Sequence, residues 1–306
     1  MALNATIPRS IQYFLAVAKH KSFTRAAEAL FVSQPTLSQQ IKQLEDSLNV
    51  QLLNRNGRNI QLTSEGEVYL QHARRAVGEL ETATRAIHEL QDLSRGSLRI
   101  AMTPITDYLA IPILYEFSKR YPGITISTFE MPQNEMRDAL AENHVDIGIA
   151  FTSTLTNDIC SNMEHCQTLS IEKLNLVFGE SHKLATEKGP LSKHGLLQQP
   201  LVLLNKSYAL RSHIDQYFEE QNINPYIHME TSSLNVIIEV VRQNDISTIL
   251  PTTIVARQHG LKTMSLLPEL PRHTVSLICS KDLNGSPASQ QFRTMASELV
   301  SQQEGK

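Results

Sequence analysis

The 306-residue sequence has no tryptophan, only three cysteines, and no uninterrupted apolar stretch near the 18 residues that a membrane helix needs. Its first residues, MALNATIPRSIQ, lack the charged start, apolar run and small-residue cleavage site of a secretory signal. Cys160, Cys166 and Cys279 are an odd number of thiols at no zinc-ligand spacing, which argues against a disulfide framework and fits a reducing compartment. We therefore expect a cytoplasmic protein that does not enter a membrane.

The common catalytic and cofactor motifs are missing as well. The sequence has no GxSxG, no Walker loop, no HExxH and no GxGxxG, and its 11 histidines are scattered without pairing at metal-ligand spacing. We therefore expect neither an enzyme nor a protein with a bound metal or cofactor.

No charge of one sign is in excess over the whole chain, because 28 Lys and Arg face 31 Asp and Glu, a net charge of -3. The distribution is uneven, however. Residues 1–62 carry seven bases and three acids, whereas residues 63–92 and the remainder are net negative. A small basic head on an acidic body suggests that the head meets a polyanion. The length predicts about two or three domains.

The first 50 residues predict three short helices. Residues 9–20 have apolar positions at helical spacing, Ser22 precedes FTRAAEAL as an N-cap, and Ser33 precedes QPTLSQQIKQLEDSL in the same way. The third helix has an apolar stripe formed by Leu37, Ile41, Leu44 and Leu48. The tight turn FVS makes the last two helices a helix-turn-helix, and VQLLNRNGRNIQLT then predicts a hairpin around Asn56-Gly57, a wing.

The polar face of the third helix has the side chains that reading DNA requires. A helix that enters the major groove needs short polar side chains in its first turns, with cations beside them. The candidate DNA-binding residues are Ser33, Gln34, Pro35, Thr36, Ser38, Gln39 and Lys42 in the groove, with Arg55 and Arg58 of the wing on the backbone. On composition alone, the alternative is an ordinary solvated face of a three-helix bundle.

Residues 63–93 predict one long helix with Thr63 as N-cap. Its apolar positions alternate gaps of four and three, which is a heptad seam typical of helix pairing. The candidate dimerisation residues are Tyr69, Ala73, Ala76, Leu80, Ala83, Ile87 and Leu90.

Beyond residue 96 the periodicity alternates between strands and helices. This βαβαβ order predicts a parallel sheet, and a second similar set makes a hinged body of two lobes with a cleft between them. Hydroxyls and amides at strand ends before helices are typical of anion sites, and a chain without Trp offers a large aromatic ligand little lining. The candidate effector-binding residues are Thr103, Pro104, Thr152, Asn205, Thr231 and Ser232, each of which could equally be a mere cap or turn residue.

The run FLAVAKHKSFTRAAEALFVSQPTLSQQIKQLEDSLNVQLLNRNGRNIQLTSEGEVYL resembles the N-terminal domain of LysR-type transcriptional regulators. SRGSLRIA, YPGI and VDIGIA lie where the effector domain of that family has its first strands. Within the family, the nearest resemblance is to the cyanate-operon regulator subgroup, through GSLRIAMTP, LVLLN and ISTILP. Many relatives carry Arg where Gln39 stands, so an adenine-type contact is expected there in place of a guanine contact.

Pattern and resemblance together predict an α+β multidomain fold. A winged helix-turn-helix domain spans 6–63, a linker and dimerisation helix spans 64–94, and an effector-binding domain spans 95–306. Its lobe I covers about 97–168 plus 273–306, and its lobe II about 169–272. The resemblance implies double-stranded operator DNA and a small co-inducer as partners, RNA polymerase as a further candidate partner, and a homo-oligomer, either a dimer or a dimer of dimers. The strand-end chemistry favours a small anion as the co-inducer.

Two alternatives stay open. One is an oxidant-sensing regulator of the same fold that acts through Cys160 or Cys166 rather than through a ligand. The other is a cytoplasmic two-lobed solute-binding protein or enzyme that happens to carry a helical N-terminal domain. The missing signal peptide disfavours a receptor, and the missing nucleophile or metal constellation disfavours an enzyme.

Overall fold

The structure, a computed structural model, describes residues 7–54, 60–89, 93, 95–153, 165–279 and 286–304. The chain divides into two units. The first comprises Met1–Ile87 with Ala141–His144, and the second comprises His88–Leu140 with Val145–Lys306. No helix in the described ranges is both long and apolar enough to cross a membrane.

The first unit begins with the three predicted helices and the wing strands, which are α1 Arg9–His20, α2 Phe23–Leu30, α3 Gln34–Leu48, β1 Leu53–Asn54 and β2 Gln61–Leu62. The predicted caps form, since the Ser22 hydroxyl accepts a hydrogen bond from the Arg25 amide and the Ser33 hydroxyl accepts one from the Thr36 amide. β1 and β2 pair antiparallel, as a hairpin requires. Residues 55–59, which include Arg55 and Arg58, lie outside the described residues.

The buried stripe of α3 differs from the prediction. Leu37 and Ile41 are buried, Leu44 is half-buried, and Leu48 is 41% exposed. The fourth core position is taken by Glu45, whose Oε1 accepts hydrogen bonds from the Leu52 and Leu53 amides at 2.9 and 3.1 Å. The helix therefore turns a carboxylate inward to hold the start of the wing, and Leu48 faces outward.

The long helix α4 spans Ser64–Glu89, and the Thr63 hydroxyl accepts a hydrogen bond from the Gly66 amide at its start. Within the first unit, the segment Ala141–His144 packs on this helix at Gly78. A Cβ at Gly78 would lie 2.5 Å from the Asn143 Cβ, so only glycine permits this approach. Glu79 Oε1, next to Gly78 in sequence, accepts a hydrogen bond from Asn143 Nδ2 at 3.0 Å.

The second unit has the predicted alternation of strands and helices. In chain order its elements are β3 Gly96–Met102, α5 Pro104–Arg120, β4 Ile124–Glu130, α6 Gln133–Ala141, β5 Ile147–Ser153, β6 His165–Glu172, β7 Leu174–Gly179, β8 Leu191–Ser192, α7 Lys193–Leu197, β9 Leu201–Leu204, α8 Ala209–Glu220, β10 Ile227–Thr231, α9 Leu234–Gln243, β11 Thr248–Pro251, α10 Thr252–Val255, β12 Leu261–Met264, β13 Leu266–Leu267, β14 His273–Cys279 and α11 Pro287–Glu304.

The five-stranded sheet of lobe I has the order β4-β3-β5-β14-β6. β3 is parallel to β4 and β5, as the βαβαβ pattern predicts, whereas β14 runs antiparallel to both its neighbours. The strand β6 was not predicted from the sequence. Because β6 belongs to this sheet, lobe I extends to Glu172 rather than to about 168.

Lobe II is built from three small sheets. Their orders are β11-β7-β12, β10-β9 and β13-β8, and an isolated parallel bridge between Leu201 and Ser247 connects β9 with the segment before β11. One apolar cluster continues through both lobes, for example from Phe117 and Phe151 to Leu203 and Ile237. The lobes therefore share a continuous core beside their cleft.

Candidate functional site

The N-terminal turns of α3 present a compact polar surface. Ser33 closes the first turn, since its Oγ accepts a hydrogen bond from the Thr36 amide at 3.2 Å and lies 2.7 Å from Thr36 Oγ1. Ser38 is half-buried, and the other candidates are exposed: Ser33, Gln34, Pro35, Thr36, Gln39 and Lys42. The structure thus brings together the seven predicted groove residues on one helix, held by its cap.

Exposed cations of the same unit that were not among the predicted DNA-binding residues include Lys21 and Arg25. Lys21 lies at the C-cap of α1, and Arg25 lies in the first turn of α2. Because the first helix of a helix-turn-helix crosses the DNA backbone, a cation in its first turn is well placed to meet a phosphate. The position of Arg25 three residues after the Ser22 cap was the available signal in the sequence.

The candidate dimerisation residues divide between two environments. Tyr69 packs edge-on against Phe14 with ring centroids 5.1 Å apart, and Ala73 is 4% exposed, so both contribute to the core of their own unit. The remaining described candidates form an exposed stripe along α4: Ala76, Leu80, Ala83 and Ile87. Leu90 lies outside the described residues.

An apolar groove of about 550 Å³ lies at the start of α4. Its apolar lining includes three residues that are exposed in the single chain, Leu48, Val50 and Val68. The groove and the exposed stripe lie on the same helix. An exposed apolar surface of this kind is typical of an association site.

The candidate effector-binding residues lie at strand ends in the second unit. Thr103 caps α5, with its amide bonded to Thr106 Oγ1 at 2.8 Å, and Pro104 is the buried first residue of that helix. In lobe II, the Asn205 amide donates to the Thr231 carbonyl at 2.9 Å, and Ser232 follows as an exposed residue. Thr152 belongs to β5 and pairs with Thr274 in register, but its side chain lies outside the described ones.

A closed crevice connects the two groups of residues. It has about 200 Å³ of empty space, too narrow to hold a water molecule, and its lining is mostly apolar: Thr103, Ile105, Phe151, Leu204, Tyr208, Ala209 and Leu210. Thr103 and Leu204, the residue before Asn205, thus line the same crevice. A co-inducer at this place requires the lobes to part.

The charges around the crevice are mainly negative. Burial raises the pKa of Asp107, in the first turn of α5, to about 6, and the neighbouring Glu130 acts in the same direction. The pKa of Tyr208 is raised by burial and then by Glu130. The buried cation Arg211 is committed to ion pairs with Asp215 at 2.7 Å and Glu230 at 2.5 Å.

Two histidines beside the crevice were not singled out from the sequence. His213 and His273 stack with ring centroids 4.5 Å apart, and His273 also stacks on Phe151. Burial, and then His213, lowers the pKa of His273 to about 3, and burial also lowers the pKa of His213. Both rings are therefore neutral near pH 7 and add no positive charge to the cleft.

One of the three cysteines differs from the expectation that argued against a disulfide framework. Cys166, on the exposed side of β6, is disulfide-bonded, so the expectation of no disulfide was wrong at this position. Cys279 is a free and buried thiol, and burial raises its pKa to about 11, which makes it unreactive. Cys160 lies outside the described residues.

Comparison with known proteins agrees with both units. The family described as "Bacterial regulatory helix-turn-helix protein, lysR family" matches residues 8–67, and the "LysR substrate binding domain" matches residues 91–301. CmpR of Synechocystis sp., an HTH-type transcriptional activator, is 32% identical over 78% of this chain and 76% of its own length.

Solved structures share the fold over nearly the whole chain. Full-length CbnR complexed with its target DNA has a TM-score of 0.67 at 21% identity, over 95% of this chain and 98% of that one. A full-length variant of OxyR from Pseudomonas aeruginosa has a TM-score of 0.67 at 20% identity, over 98% of this chain and 95% of that one. The relatives are named as transcriptional regulators rather than as enzymes. This chain belongs to the LysR family of transcriptional regulators.

Proposed function

We propose that the chain binds double-stranded operator DNA through the first turns of α3 and regulates transcription in response to a small co-inducer. The observation that carries this proposal is the exposed polar surface of Gln34, Thr36, Gln39 and Lys42 on a helix fixed by the Ser33 cap. Short polar side chains there reach base edges, and Arg55 and Arg58 of the wing would contact phosphates. RNA polymerase is the partner through which bound protein would alter transcription.

The test compares binding to the DNA that flanks the chain's own gene with binding to random DNA, by fluorescence anisotropy. Wild type should prefer the flanking DNA, and Gln39→Ala should lose roughly 1–3 kcal/mol on that site alone, because the amide can pair with an adenine edge. Equal affinity of wild type for both DNAs would contradict the proposal.

The proposed assembly is a homodimer through α4, and two such dimers make a tetramer. Exposed Leu80 and Ile87 lie at heptad spacing, and the groove at Leu48, Val50 and Val68 adds exposed apolar surface at the start of the same helix. A second chain that covers this surface removes apolar groups from water. It also supplies the second DNA-binding head that an operator with two half-sites needs.

The proposed co-inducer is a compact anion that binds where Thr103 meets the end of β9. Support comes from the N-terminus of α5, whose dipole favours negative charge, and from the hydroxyl of Thr103. The carboxyl of Asp107 opposes an anion when ionised and stops opposing it when protonated. Binding would part the lobes and alter the spacing of the heads.

Calorimetry with cyanate, azide, bicarbonate and small carboxylates tests the co-inducer class, and the resemblance to the cyanate-operon subgroup supplies the first of these probes. Thr103→Val keeps the shape and removes the hydroxyl, so the affinity of the bound anion should fall. Unchanged affinity in the variant, or binding only of uncharged aromatics, would contradict the assignment.

A second candidate is oxidant sensing, which the disulfide at Cys166 favours. A relative named hydrogen peroxide-inducible genes activator, from Haemophilus influenzae, is 26% identical over 95% of both chains. Reporter output with and without peroxide in Cys160→Ser and Cys166→Ser separates the candidates. A regulatory response to the ligand that is intact in both variants, with no oxidant response to lose, favours the co-inducer. A lost oxidant response in either variant, with the ligand response unchanged, favours the thiols.

A further inference from the structure

Phe31 is the most exposed large apolar residue in the described parts of the chain, with 91% of its surface in water. It lies in the turn between α2 and α3. Its backbone is fixed, since its amide donates to the Glu28 carbonyl at 3.2 Å and the next amide, of Val32, donates to the Ala27 carbonyl at 3.0 Å. The side chain of Val32 packs on the core of the first unit, whereas the side chain of Phe31 points into solvent. The backbone thus holds the ring in water, away from the core.

The backbone at this position also disfavours phenylalanine. Phe31 has φ 55°, in the left-handed region that L residues rarely adopt and that Gly and Asn tolerate best. Asn49 ends α3 in the same conformation, and Asn is a residue type that tolerates it well. A bulky ring at position 31 therefore costs stability twice, by backbone strain and by exposure, and at 91% exposure packing against the described part of the unit offsets little of either cost.

Phe31 lies beside the candidate DNA-binding residues of α3. Two residues after Phe31, Ser33 caps the helix whose first turn carries Gln34 and Thr36. These side chains recognise polar base edges, and no other large apolar side chain is exposed among the described residues 32–40. DNA offers two apolar features at such a place, the thymine methyl group in the major groove and the deoxyribose face beside it.

We infer that Phe31 is a DNA-contacting residue whose ring packs on an apolar feature of the operator, next to the bases read by the first turn of α3. This inference rests on the proposed DNA-binding function and adds to it a specificity element that is not polar. The turn with φ 55° holds the ring beside the first turn of α3 before DNA binds. Binding then orders the side chain little further, which offsets the backbone strain.

Three variants separate this contact from a structural role. Phe31→Asn suits the left-handed backbone, so its melting temperature should equal or exceed that of wild type, while its affinity for the flanking DNA should fall about tenfold, as expected for loss of a buried aromatic contact. Phe31→Tyr keeps the ring and should bind within about twofold of wild type. Tyr226→Asn, which removes another exposed aromatic, in the second unit, should bind like wild type.

Uracil substitution in the operator identifies the feature that the ring meets. If it is a thymine methyl, replacing that one thymine by deoxyuridine should weaken wild type about fourfold, as expected for one lost apolar carbon, and should leave Phe31→Asn unchanged. If it is a deoxyribose, no uracil position should matter, while Phe31→Asn still binds about tenfold more weakly at the preferred site.

The inference is overturned if Phe31→Asn binds the operator like wild type, or if its sedimentation shows an altered oligomer, which would make Phe31 a contact between chains. Failure of the proposed function is distinguishable, because in that case wild type itself would show no preference for the flanking DNA.

Discussion

The helix-turn-helix head and the cleft of the second unit differ in how accessible their candidate binding residues are. On α3, the candidate residues are exposed and ready, and the cap at Ser33 holds them by local hydrogen bonds. In the cleft, Thr103 is 3% exposed and its crevice is too narrow for a water molecule. DNA can therefore meet a finished surface, whereas a co-inducer must first separate the lobes. This difference suits a regulator, because a ligand passes on a signal when it favours one conformation over another.

Tight DNA binding by the head should depend first on the proposed dimer, since one head is expected to bind far more weakly than two linked heads. Leu80→Asp combined with Ile87→Asp places charges in the proposed seam of α4, and both residues are exposed, so the single chain should still fold. We expect loss of the dimer in sedimentation and a fall of about 100-fold or more in operator affinity.

Gln71→Asp, a charge on another exposed face of α4, is the matched control and should leave both measurements unchanged. A double variant that stays dimeric and binds tightly would place the assembly in the α/β lobes instead.

The order of the head should depend on Glu45. Glu45→Ala leaves the buried Leu52 and Leu53 amides without their shared acceptor, which should cost about 1–3 kcal/mol of stability in the first unit. Hydrogen exchange should show faster exchange of these two amides, together with weaker operator binding. Glu28→Ala, at an exposed acid on α2, should change neither. Undiminished protection in Glu45→Ala would mean that the wing is held by other contacts.

Features that depend on neighbours in sequence were predictable. The three helices of the head, their serine caps and the polar face of α3 follow from spacing and side-chain chemistry within a few residues. The inward role of Glu45 was not predictable in this way, because its partners are seven and eight residues away, in and just before a strand. Helical periodicity alone assigns Leu48 to the buried stripe of α3. In the folded unit, Leu48 instead lines the exposed groove together with Val50.

The cleft was less predictable for the same reason. Strand ends located Thr103 and Asn205, but the carboxyls of Asp107 and Glu130 come together only through the crossing from α5 to β4. The pairing of His213 with His273 joins residues 60 positions apart in sequence. Likewise, β6 joins the sheet only by pairing with β14, a strand about 100 residues later in the sequence.

The cleft should respond to pH where the head does not. The pKa of Asp107 is raised to about 6, so the carboxyl is protonated below that pH and ionised above it. Affinity for an anionic co-inducer should therefore be highest below about pH 6 and should fall above it by up to about tenfold per pH unit.

Asp107→Asn keeps the shape without the charge, so its anion affinity should be flat with pH when measured by calorimetry from about pH 5 to about pH 8. The same fall with pH in Asp107→Asn would assign the effect to another group, and an affinity that rises with pH would argue for a cationic ligand.

The smallest expected effect concerns how the head divides affinity from specificity. Lys42 is exposed one turn beyond Gln39, where an ammonium can reach a phosphate. A lost phosphate contact releases about one fewer counterion, so Lys42→Ala should reduce the salt slope of binding by about 1 and weaken operator and random DNA alike. Gln39→Ala should keep the wild-type slope and lose affinity for the operator alone, since an uncharged amide displaces no counterion. Anisotropy titrations between low and moderate salt on both DNAs distinguish the two side chains.

Lys42→Ala could instead weaken binding to the operator alone and leave the salt slope unchanged. Lys42 would then contact a base rather than a phosphate, and the roles assigned to Lys42 and Gln39 would be wrong.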